Sequence, residues 1–295
     1  MKIGFIGLGI MGSRMAANLH DRGYELVVYN RSPQKTEPLV AAGAVAATNP
    51  TAVATQVEIL ITMLAHPKAV REAALGEGGF LRQLAAGTTW IDCSTVHPSF
   101  AREMAAAAQA QQVRFLDAPV AGSKPQAAAA ELVFLVGGEA ADIDRARPLL
   151  EAMGRKVAHI GPVGQGSAMK LVVNHLLGTS MLAFAESLAL GTGLGLAQDD
   201  LLEALVGGPV APPYLASKRQ KLATGDYAPE FPLEWLHKDL QLVARAAYEV
   251  GVAMPTSAVT KEIYGLAARQ GMNRQDFSAI YRLFTAGAVE PPSMV

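Results

Sequence analysis

The chain has few of the features that would staple it, charge it or load it with metal. It holds a single cysteine, Cys93, in 295 residues. That excludes an intramolecular disulfide framework and fits a reducing compartment. The 25 basic and 26 acidic residues almost cancel, for a formal net charge of −1. There is neither a basic patch for nucleic acid nor an acidic tail. His20, His66, His97 and His159 are scattered without metal-ligand spacing, so no metal is expected. Long uninterrupted apolar runs are also missing. The most apolar stretch, 168–197, is broken by Lys170, His175 and Glu186 and reads as a buried helix, not a membrane span. The first twenty residues place Lys2 before an apolar run, as a signal peptide would. Glycines and Arg14 interrupt them and no small-residue cleavage site follows. The expectation is a cytoplasmic protein with no nucleic-acid or membrane partner. No internal repeat is evident, and the tract Ala127–Ala130 is too short to mean disorder.

Hydrophobic residues, by contrast, make up 51% of the chain, enough for a large core, and the length suffices for two domains. The most informative segment opens with Lys2-Ile3-Gly4-Phe5-Ile6, a short buried strand. It runs into Gly7-Leu8-Gly9-Ile10-Met11-Gly12, and a helical pattern follows from Ser13 to about Arg22. A G-x-G-x-x-G between a strand and a helix is the fingerprint of a dinucleotide-binding fold. Gly7 allows the tight turn, Gly9 lets backbone approach a pyrophosphate, and Gly12 lets the helix pack on the strand. The helix N-terminus offers N–H groups and partial positive charge to phosphate.

The second strand, Glu25-Leu26-Val27-Val28-Tyr29, ends at Asn30-Arg31-Ser32-Pro33. Sites specific for NAD place Asp or Glu here to bond the ribose 2′-hydroxyl. An amide, a guanidinium and a hydroxyl suit a 2′-phosphate instead, and Arg31 could bind it bidentately. The expected cofactor is NADP(H), held by the glycine loop with Asn30, Arg31 and Ser32.

Further strands are expected at 57–64, 89–92, 113–117, 132–136 and 156–160, with helices at 101–111 and 143–153 between them. Alternating strands and helices imply an α/β Rossmann fold with a doubly wound, largely parallel sheet. Ligands bind beyond the carboxyl ends of such strands, where Gly7, Asn30, Met63-Leu64 and Ser94-Thr95 fall. After Gly161-Pro162-Val163-Gly164 the pattern changes. Apolar spacing becomes helical over 165–192, 199–205, 212–222, 233–250, 257–270 and 274–283. The expected organisation is a dinucleotide-binding domain at 1–163 and an all-helical domain at 164–295, linked by the long helix.

Two segments carry candidate chemistry. Lys170 and Asn174 are four apart in Gly166-Ser167-Ala168-Met169-Lys170-Leu171-Val172-Val173-Asn174 and share one helix face. The lysine is either a snorkelling surface residue or a cation that gives a proton to a developing alkoxide; Asn174 could orient the same oxygen. In Asp117-Ala118-Pro119-Val120-Ala121-Gly122-Ser123-Lys124 a strand enters a loop of small residues with one cation. That loop is either an ordinary turn or a carboxylate holder. His175 and His237 adjoin site residues but face elsewhere on their helices and are read as structural. Cys93 reads as a buried small hydrophobe, and Trp90 and Trp235 as packing anchors.

Taken together, these segments and Asp92-Cys93-Ser94-Thr95 and Lys238-Asp239-Leu240 resemble the β-hydroxyacid dehydrogenase family, which includes 3-hydroxyisobutyrate dehydrogenase, over essentially the whole chain. The resemblance implies that Lys170 is the catalytic acid/base and that Thr95 and Lys238 contact the cofactor. It implies that Ser94, Gly122, Ser123, Lys170 and Asn174 surround the substrate, a small carboxylate that Lys124 of the same loop is expected to help hold. It also implies a helical domain that helps build a homodimer or homotetramer. Asn30-Arg31-Ser32, Gly122-Ser123-Lys124, the stretch from Phe231 to Asp239 and Asp276-Phe277-Ser278-Ala279-Ile280 are similar to the NADPH-dependent glyoxylate/succinic semialdehyde reductases. By that similarity Phe231 and Asp239 lie near cofactor and substrate. The chain departs from this subgroup at Ala121, where a hydroxyl is lost, at Pro125, where a lysine is lost, and at Ala128-Ala129-Ala130. These changes touch the substrate loop. Alternatives are another β-hydroxyacid of the 3-hydroxyisobutyrate or tartronate semialdehyde type, an imine, or a non-catalytic NADP-binding scaffold.

Overall fold

In the computed structural model, which describes residues 1–285, the chain forms two compact units, Met1–Val173 and the part from Asn174 onward. The first is built on strands β1 (Lys2–Ile6), β2 (Glu25–Tyr29), β3 (Val45–Ala46), β4 (Ile59–Thr62), β5 (Thr89–Asp92), β6 (Arg114–Asp117), β7 (Val120–Ala121), β8 (Leu132–Gly137) and β9 (Gly154–Gly161). Their order in the sheet is β3-β2-β1-β4-β5-β6-β8-β7, with β9 beside β8. From β3 to β6 every pairing is parallel. The order turns outward in both directions from the β1–β4 pair, the switch point of a doubly wound sheet. β8 then runs antiparallel to β6, meeting it at Asp117 and Gly137, and β9 returns parallel to β8.

The strands are apolar because both faces of the sheet are covered. Ile3 and Phe5 enter one core cluster with Met15 and Leu19 of the first helix (Gly12–Asp21). Ile6, Leu60 and Trp90 enter the opposite cluster with Phe100 and Met104 of the helix Pro98–Gln109. Successive side chains of a strand point to opposite faces, so near-continuous hydrophobic runs are what such strands require. Trp90 anchors the second cluster, edge-on to Phe80 at 5.0 Å and to Phe115 at 4.8 Å between ring centres.

The long helix, Gln165–Gly193, begins in the first unit and ends in the second. By length and composition alone it could cross a membrane, and 44% of its most apolar window is packed inside the protein. Described by itself, the second unit is helical, with its own core of Met181, Leu188, Leu236, Leu240, Tyr264 and Ile280. The helix Leu233–Val250 has the expected bounds and stops at Gly251, whose φ of 71° closes it in the left-handed conformation.

Some elements differ from the sequence reading. The expected helix over 212–222 is a 3₁₀ turn, Pro213–Lys218, followed by a short helix, Arg219–Thr224. The helix expected over 257–270 is Pro255–Ala267, after which Gly271 at φ 86° breaks a widened turn. The one expected over 274–283 is a 3₁₀ turn, Phe277–Tyr281, followed by Arg282–Thr285. Apolar spacing of three or four residues does not separate a 3₁₀ turn from an α-helix. The two-residue strands β3 and β7 lie below the length at which an alternating pattern can be read.

Candidate active site

The glycine loop is held by main chain at two of the three fingerprint glycines, Gly7 and Gly12. Gly7 stands at φ 102° and donates to the Tyr29 carbonyl at 3.0 Å. A Cβ there would overlap the Met63 carbonyl oxygen, and one at Gly12 would overlap the Gly7 carbonyl oxygen. Strand end, helix start and the segment after β4 are thus in backbone contact. A Cβ at Gly9 would meet nothing within 4 Å. Gly9 is exposed, so its missing side chain leaves open ground above the loop. No side chain caps the helix start, and no acidic residue lies in its first turn. This cradle fits a pyrophosphate.

At the end of β2, the Leu8 N–H donates to Asn30 Oδ1 at 2.9 Å and Asn30 Nδ2 donates to the Ser32 carbonyl at 3.0 Å. Asn30 therefore ties the second strand end to the glycine loop, a task its neutral amide can perform on both sides at once. Arg31 and Ser32 are exposed beside it.

After β4, Met63 and Leu64 are half-buried. The Leu64 N–H donates to Ser94 Oγ at 2.8 Å. Ser94 N donates to Asp92 Oδ1 at 3.1 Å, and Asp92 also accepts from the Thr62 hydroxyl at 2.8 Å. Trp90 Nε1 completes the chain by donating to Thr62 Oγ1 at 2.9 Å. Ser94 is buried, and its oxygen orients the 63–64 segment, while Thr95 follows it half-buried. Burial pushes the Asp92 carboxyl up to about 6, against the pull of the Ser94 and Thr62 donors. Cys93 is buried and its thiol is pushed up by the same desolvation, as a small core hydrophobe.

The loop after β7 turns at Gly122, φ 120°, where Leu132 and Gln126 leave no room for a Cβ. Ser123 donates to Gln126 Oε1 through both its N–H, at 2.9 Å, and its hydroxyl, at 3.0 Å. Ser123 caps the short helix Lys124–Ala128, and Lys124 is exposed at its first position. The cap commits the Ser123 hydroxyl proton to Gln126, so a carboxylate held here would rely on Lys124 and loop N–H groups. Pro125 fits the start of that helix, where its missing N–H costs nothing.

Lys170 and Asn174 stand one turn apart on the long helix, and both are buried: 8% and 1% exposed. Asn174 Nδ2 donates to Asp239 Oδ2 at 2.6 Å, and Lys238 Nζ lies 2.8 Å from Asp239 Oδ1. The carboxylate fixes the amide: nitrogen toward Asp239, Oδ1 turned away with no hydrogen-bond partner among the described residues. Phe231 is placed by Asp276, whose Oδ2 accepts from the Phe231 N–H at 3.2 Å and from Lys218 Nζ at 3.0 Å. His175 and His237 are lowered from the ordinary histidine value by burial. The second packs its ring over Gly265.

The candidate residues thus fall into two connected groups. One, in the first unit, joins the glycine loop, Asn30, Met63-Leu64 and Ser94. The other, in the second, joins Asn174, Lys238 and Asp239. Asp92 and Thr62 support the first group, Asp276 places Phe231, and Asp117 accepts from the start of the long helix; the sequence reading gives none of the four a role. A polar residue at the end of a buried strand, as at 62, 92 and 117, is the signal that could have found three of them.

Residues 2–161 match the model of the NAD-binding domain of 6-phosphogluconate dehydrogenase. Residues 164–284 match that of the NAD-binding domain of NADP-dependent 3-hydroxyisobutyrate dehydrogenase. An Arabidopsis thaliana glyoxylate/succinic semialdehyde reductase is 35% identical over 97% of this chain and 80% of its own length. A Pseudomonas aeruginosa NAD-dependent L-serine dehydrogenase is 38% identical over 96% of this chain and 97% of its own. The crystal structure of 3-hydroxyisobutyrate dehydrogenase from Salmonella typhimurium superimposes with a TM-score of 0.87 at 28% identity, covering 96% of this chain and 99% of that one. The chain belongs to the 3-hydroxyisobutyrate dehydrogenase-like family of β-hydroxyacid dehydrogenases. The relatives named above are dehydrogenases and a reductase, and the two domains are of NAD(P)-binding type.

Proposed function

We propose that the chain is an NADPH-dependent reductase of small aldehydo or oxo acids, of the succinic semialdehyde or glyoxylate type. The observation that carries this reading is Lys170: a lysine 8% exposed, one helical turn from an asparagine locked by a buried carboxylate. A snorkelling lysine would have its ammonium in water. The glycine cradle, Arg31 and Ser32 would hold the dinucleotide, with Phe231, Thr95 and Lys238 as further contacts. When bound, the nicotinamide supplies the hydride for the carbonyl carbon. Lys170 holds the proton that the carbonyl oxygen needs, so that negative charge does not build up there. The second amide hydrogen of Asn174 orients that oxygen. Lys124 and the 122–124 loop hold the substrate carboxylate and thereby fix the carbonyl. We also propose that the protein is cytoplasmic and works as a homodimer or homotetramer.

The 38% identical relative is named for NAD. What favours NADPH here is the absence of a carboxylate at Asn30-Arg31-Ser32. The test is oxidation of NADPH and NADH with succinic semialdehyde, glyoxylate and methylglyoxal. Fast NADPH-dependent turnover of the semialdehyde is expected. Lys170→Ala should lose at least roughly 100-fold in turnover, in the range of a positioned general acid, with NADPH affinity within twofold. Normal turnover in that variant would remove Lys170 from the mechanism. Ala121, Pro125 and the alanine tract open a second reading, a less charged or cyclic imine substrate, which 1-pyrroline would reveal.

A further inference from the structure

We propose that Asp117 is the positioning residue for Lys170: its carboxylate fastens the first turn of the long helix to the end of β6 and so sets where the ammonium stands. The inference rests on the reading of Lys170 as proton donor and extends it.

Asp117 is the last residue of β6 and is 1% exposed. Its two oxygens take two different helix-start donors. Oδ1 accepts from Gly164 N at 2.8 Å, and Oδ2 accepts from Ser167 N at 2.7 Å. These amides belong to the turn that would otherwise leave its N–H groups without partners. Ser167 precedes Lys170 by three residues, about 4.5 Å along the axis, so any slip at the clamp is felt at the lysine within one turn.

The seat is built to admit no slack. A Cβ at Gly137 would overlap Asp117 Oδ1. One at Gly166 would overlap the Leu135 carbonyl and lie 2.7 Å from the Asp117 carbonyl oxygen and 2.8 Å from Gly137 N. The helix start, β6 and β8 therefore meet backbone to backbone, with the carboxylate between them.

The choice of residue is informative. Ser, Thr or Asn caps a helix without burying a charge. Here burial pushes the carboxyl up to about 6, against the pull of its Gly164 and Ser167 donors. A neutral cap would avoid that cost but offers one acceptor atom; the carboxylate gives each amide an oxygen of its own. Asp117 is tolerated as a buried charge because the helix start is held at two points.

The test is a double-mutant cycle on single-turnover hydride transfer from NADPH to succinic semialdehyde, with binding-competent enzyme counted by NADPH fluorescence titration. Asp117→Asn keeps the shape but turns an NH₂ toward one of the two donors. It is expected to slow the step at least tenfold in the Lys170 enzyme with NADPH affinity within twofold. In the Lys170→Ala background it should slow the residual rate less than twofold, because there is no ammonium left to misplace. Gly137→Ala, which pushes on the same oxygen without changing charge, should show the same collapse and serves if Asp117→Asn does not fold. Equal losses in both backgrounds, or no loss in the Lys170 enzyme, would overturn the proposal alone. Parent-like turnover by Lys170→Ala would overturn the function reading and the proposal with it.

Discussion

Arg31 is the residue on which the proposed NADPH preference turns. It is exposed beside Ser32, and its neighbour Asn30 is occupied on both sides by the Leu8 amide and the Ser32 carbonyl. Under the proposed NADPH preference, discrimination for a 2′-phosphate rests chiefly on this guanidinium, with the exposed Ser32 beside it. A charge-assisted hydrogen bond contributes about 1.5–3 kcal/mol, or roughly 10- to 100-fold. Arg31→Ala is expected to raise the KM for NADPH by that factor and leave the KM for NADH within twofold, read from initial rates with each cofactor. Equal changes for both would mean that Arg31 acts on the fold of the loop. Lys170 and Asn174 were legible from sequence because four-residue spacing makes them helix neighbours. The partner that locks Asn174 was not: Asp239 is 65 residues away and entered only through family resemblance. Ser123 illustrates the converse: Ser123 and Gln126 have the S-x-x-Q spacing of a capping box, a signal that reading the loop as a turn or a carboxylate holder leaves unused.

At the scale of the element, the glycine loop separates two reasons for having no side chain. Gly12 is needed for packing, because a Cβ would run into the Gly7 carbonyl oxygen and lie 3.1 Å from Phe5 Cε1. Gly9 has open space around it and no left-handed backbone to relax. Gly12→Ala should therefore lower the thermal midpoint by several degrees, as overpacking costs of about 1–3 kcal/mol imply. Gly9→Ala should melt within about 2 °C of the parent yet bind NADPH at least tenfold more weakly, by calorimetric titration. A Gly9→Ala variant with parent-like affinity would show that no phosphate comes near Gly9. The motif made the packing roles of Gly7 and Gly12 legible, since strand, turn and helix are contiguous in the chain. The antiparallel β8 was not, because strand direction is set by pairing between Asp117 and Gly137, which no local pattern encodes.

Across the whole molecule, the cost of buried carboxylates should govern the response to pH. Asp92 and Asp117 are register neighbours on β5 and β6, and both are pushed up to about 6, chiefly by desolvation. A carboxyl whose pKa is higher folded than unfolded binds more protons in the native state, so its contribution to stability falls as pH rises between the two values. From these two groups the protein gains stability as pH is lowered from about 7 toward about 4. The scale of the gain follows from proton affinity, each tenfold difference between folded and unfolded chain corresponding to roughly 1.4 kcal/mol. Unfolding free energy in urea is therefore expected to hold steady or rise between pH 7 and pH 5. Asp92→Asn keeps an acceptor for Thr62 and Ser94 without the charge. It should leave pH 7 stability equal or higher and flatten the slope between pH 4 and 6. A parent protein that loses stability steeply below pH 6, with the slope unchanged in Asp92→Asn, would show that these carboxylates are not titrating in the fold. Such buried charges persist where both oxygens are used or where one oxygen gathers several donors: at β5 the carboxylate orders the loop behind Ser94, and at β6 it holds the helix that carries Lys170.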